Sequence, residues 1–243
     1  MKKVSIITTT YNDSESLKKT IRQVQAQDYP NIEYIIVDGA SKDNTMDVIK
    51  EAERIFGDKL VWISEKDTGI YDAINKGLKL ATGDYIGTCF DQFAGNDVIS
   101  KMVAIMEKEG TDGVHGDLNY MDGETIVRKW RQGQGNIRTG WMPGHPTLYL
   151  KKEVYDKYGL YKTDYRISAD YEFMIRILKD KQVKLSYIPE VLIKMAHGGT
   201  STNSLSAYLK GMKEGHRALK ENGVKFAFVT DMLRVLRVLR QFV

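Results

Sequence analysis

Short apolar runs alternate with amphipathic stretches over the first ninety residues. Residues 4–9 (VSIITT) are a β-branched run bounded by polar positions, the pattern of a buried strand. Asp13 or Ser14 can cap the helix that follows, whose apolar positions Leu17, Ile21 and Val24 fall at i, i+4 and i+7. Pro30 and Asn31 end that segment, and residues 33–37 (EYIIV) read as a second buried strand. A polar turn over 38–45 (DGASKDNT) leads into helix positions Met46, Ile49, Ala52 and Ile55. Residues 60–64 (LVWIS) are strand three, 71–80 are helical in pattern, and 85–89 (YIGTC) are strand four. Strands alternating with helices of this length imply βαβ units and a parallel sheet in an α/β fold.

Beyond Asp91 the pattern loosens. Residues 98–108 look helical, and 113–120 and 125–130 look extended and paired as a hairpin. The stretch 131–144, rich in Gly, Gln and Asn, predicts a long loop, which in a compact domain is functional or mobile. A short strand at 148–151, helices at 152–158 and 169–179, and a strand at 184–188 closed by Pro189 complete the reading.

Composition narrows the class. The chain has 243 residues with 42% hydrophobic and 28% charged, near globular norms. Its single cysteine, Cys89, excludes an internal disulfide framework and a cysteine-based zinc site, and reads as an inert buried thiol. No apolar run approaches the roughly 20 residues of a spanning helix, and the opening MKKVSIITTTYND lacks a leader pattern. The expectation is a cytoplasmic chain. Its net charge of +4 is unevenly placed: residues 206–243 carry eight Lys and Arg against three acidic residues. The rest is close to neutral, which argues for no nucleic-acid partner. In the tail, Phe226, Val229, Leu233, Leu236 and Leu239 form an apolar face, while Arg234, Arg237 and Arg240 line another. A basic amphipathic helix of this kind suits an anionic membrane surface, a homodimer interface or docking on its own domain.

In an open α/β sheet, ligands bind beyond the carboxyl ends of the strands. Those ends carry Thr9, Thr10, Tyr11 and Asn12, then Asp38 to Ser41, then Glu65, Lys66 and Asp67, then Asp91. The strand-one turn TTTYNDSES has no glycine, so the dinucleotide fingerprint is missing. A P-loop and the Gly-x-Ser-x-Gly hydrolase elbow are also absent. A Rossmann dehydrogenase, a P-loop NTPase and an α/β-hydrolase are therefore disfavoured.

The segment VSIITTTYNDSESLKKTIRQVQAQDYPNIEYIIVDGASKDNT resembles the opening of glycosyltransferase family 2, whose members have the GT-A fold. The likeness continues through ISEKDTGIYDAINKGLKLATGDYIG, GWMPGHPTLYLKKEVYDKYGLY and ISADYEFMIRIL, and covers roughly residues 3–200. It implies a mostly parallel, Rossmann-like sheet flanked by helices, with residues 1–95 as the nucleotide half, 96–205 as the acceptor and catalytic half, and 206–243 as a helical tail. The variant with Asp67-Thr-Gly-Ile-Tyr-Asp-Ala resembles bacterial enzymes of O-antigen, capsule or exopolysaccharide synthesis. These move a sugar from a UDP-sugar donor to a glycan or undecaprenyl-linked acceptor, peripherally on the inner face of the cytoplasmic membrane.

By the same resemblance Thr9, Tyr11 and Asp38 hold uracil and ribose, and Lys66 and Asp67 line the nucleotide pocket. An aromatic ring can stack on uracil and a carboxylate can accept its N3–H. The family's neighbouring aspartates after strand four hold Mn2+ or Mg2+ at the diphosphate. Here only Asp91 stands there, followed by Gln92, with His145 as a further candidate ligand. Asp170, in Ser168-Ala-Asp-Tyr-Glu172, matches the catalytic base of inverting members. Glu172 and Trp141 are candidates for sugar contact, and Trp130 can also stack on a sugar face or fill the core. His115 and His216 read as structural, and His197 sits in a segment that resembles an active-site loop. Two other classes stay open: a nucleotide-sugar-binding protein without catalysis, since the aspartate pair is incomplete, and a nucleotidyltransferase, which would need the glycine-rich basic loop this chain lacks.

Overall fold

The computed structural model describes residues 1–196, 205–239 and 241, so His197, Arg240 and Phe242 lie outside the described residues. The first half follows the expected alternation: β1 (Val4–Thr10), α1 (Ser14–Gln25), β2 (Ile32–Asp38), α2 (Thr45–Phe56), β3 (Leu60–Ser64), α3 (Ile70–Leu80) and β4 (Tyr85–Thr88). β1 pairs in parallel with β2 and β4, and β2 with β3. Asp13 caps α1, its side chain accepting from the Ser16 N–H at 3.1 Å.

The apolar runs of β1 and β2 are continuous because both faces of the sheet are covered. Ile6, Tyr34 and Ile36 pack with Leu17 and Val24 of α1 and Val48, Ile49 and Ala52 of α2. Ile7, Ile35 and Val37 face the opposite core, with Ala73, Ile74 and Leu78 of α3. On α2 the buried stripe is Thr45, Val48, Ile49 and Ala52, while Ile55 stays exposed, so the helix is turned slightly from the predicted face.

The second half comprises β5 (Gln92–Phe93), α4 (Val98–Glu109), β6 (Gly113–Asp122), β7 (Thr125–Trp130), β8 (Tyr149–Lys151), α5 (Lys152–Tyr158), α6 (Ala169–Leu178), β9 (Leu185–Ala196), α7 (Leu205–Glu221) and α8 (Ala227–Leu239). One sheet runs β3-β2-β1-β4-β8-β6-β9-β5, with β7 on β6. β8 lies antiparallel to β4 and β6, while β6 and β9 are parallel. Pro189 does not close the last strand. β9 continues to Ala196, and the register with β6 jumps from Gly116↔Ile188 to Asp117↔Val191. The skipped pair, Pro189 and Glu190, forms a bulge, where a residue without an N–H costs the ladder nothing.

The tail is two helices. Ala218, Leu219 and Val224 are buried in the same core as α3 and α6, and Glu214 of α7 accepts from the backbone N–H groups of Arg166, Ile167 and Ser168 at 2.8–3.0 Å. Of the tail's expected basic face, the described residues are Arg234 and Arg237. Arg234 lies 4.4 Å over the Tyr171 ring, and Arg237 donates to the Thr139 carbonyl at 2.9 Å. Phe228, Val229, Met232, Leu236 and Leu239 are its exposed apolar positions, and Arg237 is exposed beside them.

Candidate active site

The parallel register lines up Thr10, Asp38 and Ser64 across the carboxyl edge of the sheet. Asn12, at φ 49°, folds the β1 turn onto the β2 turn: its N–H donates to Ser41 Oγ and its Oδ1 accepts from the Lys42 N–H, both at 2.7 Å. Asp38 is fully buried and accepts from the Ser41 N–H and hydroxyl and from Ser64 Oγ. Its work in this structure is to hold the turn, and the expected contact with a base N–H would require Ser41 to release an oxygen.

What the edge presents outward is Tyr11, 62% exposed, together with half-buried Thr9, half-buried Asp67 and exposed Lys66. Tyr11 and Asp67 meet over Gly39. A Cβ there would lie 2.6 Å from Asp67 Oδ2 and 3.1 Å from the Tyr11 ring, so only glycine keeps this gap open. Asp67 Oδ1 accepts from the Gly69 N–H at 2.9 Å, which fixes the start of α3.

Asp170 stands in the first turn of α6, half-buried. The Tyr71 hydroxyl lies 3.0 Å from its Oδ1 and 2.8 Å from the Ile167 carbonyl. Burial and the Asp170 charge hold the Tyr71 hydroxyl's pKa far above its usual value, so it stays a donor. The same segment is tied to the turn before α3 by Arg166, whose guanidinium donates to the Thr68 carbonyl at 2.7 Å. Neither Tyr71 nor Glu214 has a role in the sequence pattern. Tyr71 lies inside the TGIYDA motif, but its partner is 99 positions away, and nothing in the α7 sequence signals a carboxylate reaching back to residue 166.

His145, the further candidate ligand, has a protein partner of its own. His145 Nε2 pairs with the Tyr161 hydroxyl at 3.0 Å, and burial lowers its pKa against the opposing charge of Asp170. Among the described residues no group of three His, Cys, Asp or Glu is placed to hold a metal. Asp91 has no ion-pair partner within 4 Å among them, and burial raises its pKa to about 6. A half-buried carboxylate without a cation fits an ion shared with a donor diphosphate and waters, the mode common for Mg2+, rather than a protein-only cage. Burial raises the Tyr120 pKa, the Arg128 guanidinium 4.4 Å over its ring opposes the rise, and the charges of Asp91 and Asp170 add to it. Cys89 is buried, with its thiol pKa pushed up by burial, as an inert thiol would be.

Glu172 is corrected to a structural residue. It is fully buried, paired with Arg176 at 2.8 Å and Lys162 at 3.0 Å, and hydrogen-bonded to Asn222, so its carboxylate is taken up within the protein. Trp141 is 7% exposed, its Nε1 donating to the Gln132 carbonyl at 2.9 Å. With Trp130 it does line a cavity of about 590 Å3 that includes Asp170 and is walled on one side by α8. The 131–144 loop is anchored through Gln132, whose Oε1 accepts from the Gly144 N–H and whose N–H donates to Asp117.

Residues 5–164 match the model of glycosyl transferase family 2. An uncharacterized glycosyltransferase of Mycobacterium tuberculosis is 30% identical over 191 residues, covering 71% of this chain and 68% of its own length. A PGL/p-HBAD biosynthesis glycosyltransferase of Mycobacterium bovis is 27% identical over 210 residues, covering 83% and 79%. Among solved structures, S. aureus TarS in complex with UDP superposes with a TM-score of 0.71 at 16% identity, over 99% of this chain and 72% of that one. The mannosyltransferase PcManGT of Pyrobaculum calidifontis, in complex with GDP-Man and Mn2+, gives 0.72 at 16% identity, over 97% and 71%. The sheet order, the strand-end site and these likenesses agree: the chain belongs to glycosyltransferase family 2 and has the GT-A fold.

Proposed function

We propose that the protein transfers a sugar, with inversion, from a UDP-sugar to a glycan or undecaprenyl-linked acceptor of a bacterial surface polysaccharide. The observation that carries this is Asp170, a carboxylate on a roomy cavity with one oxygen held by Tyr71. Tyr11 stacks on the uracil above Gly39, Thr9 and Asp67 flank base and ribose with Asp38 beneath them, and Lys66 approaches the diphosphate. Asp170 Oδ2 takes the proton of the acceptor hydroxyl as that oxygen bonds to the anomeric carbon. The bond from the anomeric carbon to the phosphate oxygen breaks, and its electron pair leaves with UDP. A divalent cation, Mn2+ or Mg2+, held by Asp91 together with the diphosphate would neutralise charge on that leaving group. The solved relatives bound to UDP and to GDP-Man with Mn2+ support the donor class and the ion.

The test is a panel of UDP-sugars with and without Mn2+, reading UDP release and product stereochemistry. Asp170→Asn lowers turnover by about 10²–10⁴ with UDP affinity nearly unchanged. Exclusive binding of another nucleotide would sink the donor assignment, and a retained anomeric configuration would sink the base role. Gln92 in place of a second carboxylate favours the binding-protein reading, which stands if UDP-sugars bind and wild type turns over with no acceptor. The outward apolar face of α8, flanked in sequence by exposed Lys210, Lys213 and Lys225, supports peripheral attachment to an anionic membrane.

A further inference from the structure

One face of α7 is built of small residues around a single carboxylate. Gly211, Glu214, Gly215 and Ala218 fall at i, i+3, i+4 and i+7, so they share one side of the helix. Glycine inside a helix weakens it, and here each glycine makes room for a neighbour. A Cβ on Gly211 would stand 3.3 Å from Ile167 Cγ2, and one on Gly215 would stand 2.6 Å from the Arg234 guanidinium. Glu214 itself is only 9% exposed, and a carboxylate this far from water must have its oxygens satisfied. Its Oε1 accepts from the Arg166 N–H at 3.0 Å. Its Oε2 accepts from the N–H groups of Ile167 and Ser168 at 2.8 and 3.0 Å.

These three N–H groups immediately precede α6, whose first turn carries Asp170. Ser168 occupies the N-cap position, where a serine hydroxyl ordinarily accepts from the helix start. Here it caps nothing, and its Oγ donates to the Gly211 carbonyl of α7 at 3.2 Å. The start of α6 is therefore fixed from α7. Within the clamped segment the Ile167 carbonyl accepts from the Tyr71 hydroxyl, the same hydroxyl that lies 3.0 Å from Asp170 Oδ1. The Glu214 charge reaches that hydroxyl too, adding to burial and to Asp170 in raising its pKa. Resting on the transfer reading above, we propose that Glu214 is a positioning residue: by gathering the N–H groups of Arg166, Ile167 and Ser168 it sets the Ile167 carbonyl and the start of α6, and with Tyr71 it aims the Asp170 carboxylate.

The full chain is tested by UDP release with the UDP-sugar that turns over in the panel above, by UDP affinity and by amide hydrogen exchange. Glu214→Gln keeps the size and swaps one acceptor oxygen for an NH2 that cannot accept. Glu214→Asp keeps the buried charge and draws it back by a methylene, and it serves where the amide unfolds the chain. Each should lower kcat about 10–100-fold while donor KM and UDP affinity stay within about twofold. Each should also speed exchange at Ile167 and Ser168 at least about tenfold. Glu221→Gln is the control on the same helix: Glu221 holds the Tyr165 hydroxyl at 2.9 Å but makes no bond to residues 166–170, so kcat and that exchange should not change. Added to Tyr71→Phe, Glu214→Gln should slow turnover little beyond the slower single variant, because both act through Ile167. Fully multiplied losses, an equal loss in Glu221→Gln, or wild-type kcat in the folded Glu214 variants would each overturn the proposal. A wild type that transfers to no acceptor would sink the transfer reading instead, and unchanged exchange at Ile167 and Ser168 would still overturn the clamp.

Discussion

At the scale of single residues, the pair Tyr71–Asp170 decides how the proposed base is aimed. Asp170 opens a helix, so its carboxylate could turn back to cap the helix or point out to solvent. The Tyr71 hydroxyl removes that freedom by holding Oδ1 at 3.0 Å. Tyr71→Phe keeps the ring packed on Tyr161, 5.8 Å away, and removes only the donor. Turnover should fall about 10–100-fold, with UDP affinity and thermal midpoint nearly unchanged, a split that a merely structural tyrosine would not give. An unchanged turnover number would show that Asp170 is aimed by its helix alone.

His115 makes a second prediction at this scale. It is fully buried between Trp141 and Tyr187, with Nδ1 on Gln132 Oε1, and burial lowers its pKa from 6.5 to about 4. The unfolded chain therefore binds a proton that the folded chain refuses. Stability is full above pH 6.5 and falls as pH drops toward 4, by up to about 3 kcal/mol. Urea unfolding at a series of pH values measures this, and His115→Gln should flatten the slope in that window. An identical slope in the variant would place the acid sensitivity elsewhere.

The residue-level site was only partly legible. The places of Asp170, Tyr11 and Asp67, at a helix start and beyond strand ends, were readable because each lies inside a motif, while their roles belong to the proposal. Glu172 was misread, although the helix period alone turns it about 200° from Asp170 and so onto the core side. Tyr71 and Glu214 were invisible because their partners lie far away in sequence, and one sequence carries no sign of such pairs.

Among the elements, β1 to β4 were legible because each is a short apolar run between polar turns, covered on both faces. Pro189 misled because a proline ends a strand by default, and the β9 bulge that accommodates it shows only in the pairing with β6. The 131–144 loop was legible as a loop but not as the seat of α8. Its 3-10 turn, Ile137–Thr139, ends at Gly140 with φ 71°, and a Cβ there would lie 2.3 Å from the Arg234 backbone nitrogen. Gly140→Val must therefore strain the turn and push α8 away. It should cost at least about 2 kcal/mol, and in the folded protein it should raise the acceptor KM while leaving UDP affinity unchanged. A variant with wild-type acceptor KM would show that α8 does not shape the acceptor cavity.

For the molecule as a whole, the uneven charge of the sequence acquires a different meaning. Arg234 lies over the Tyr171 ring, and Arg237, itself exposed, donates to the Thr139 carbonyl. Most of the apolar face read from the sequence stands in solvent, at Phe226, Val229, Leu236 and Leu239. Among the described residues no helix is long and apolar enough to cross a membrane; in the proposed surface contact the inserting side chains would be Phe228, Met232 and Leu236. Lysines at 210, 213 and 225 would then add a screened attraction of about 1 kcal/mol each near an anionic surface. Flotation with anionic vesicles should therefore recover the protein at low salt, and high salt should weaken the binding without abolishing it. Met232→Glu with Leu236→Glu should abolish it at every salt concentration. Complete release by salt with no effect of those substitutions would return the contact to charge alone. A stable dimer in sedimentation that the same two substitutions dissociate would assign this face to a second copy of the chain instead.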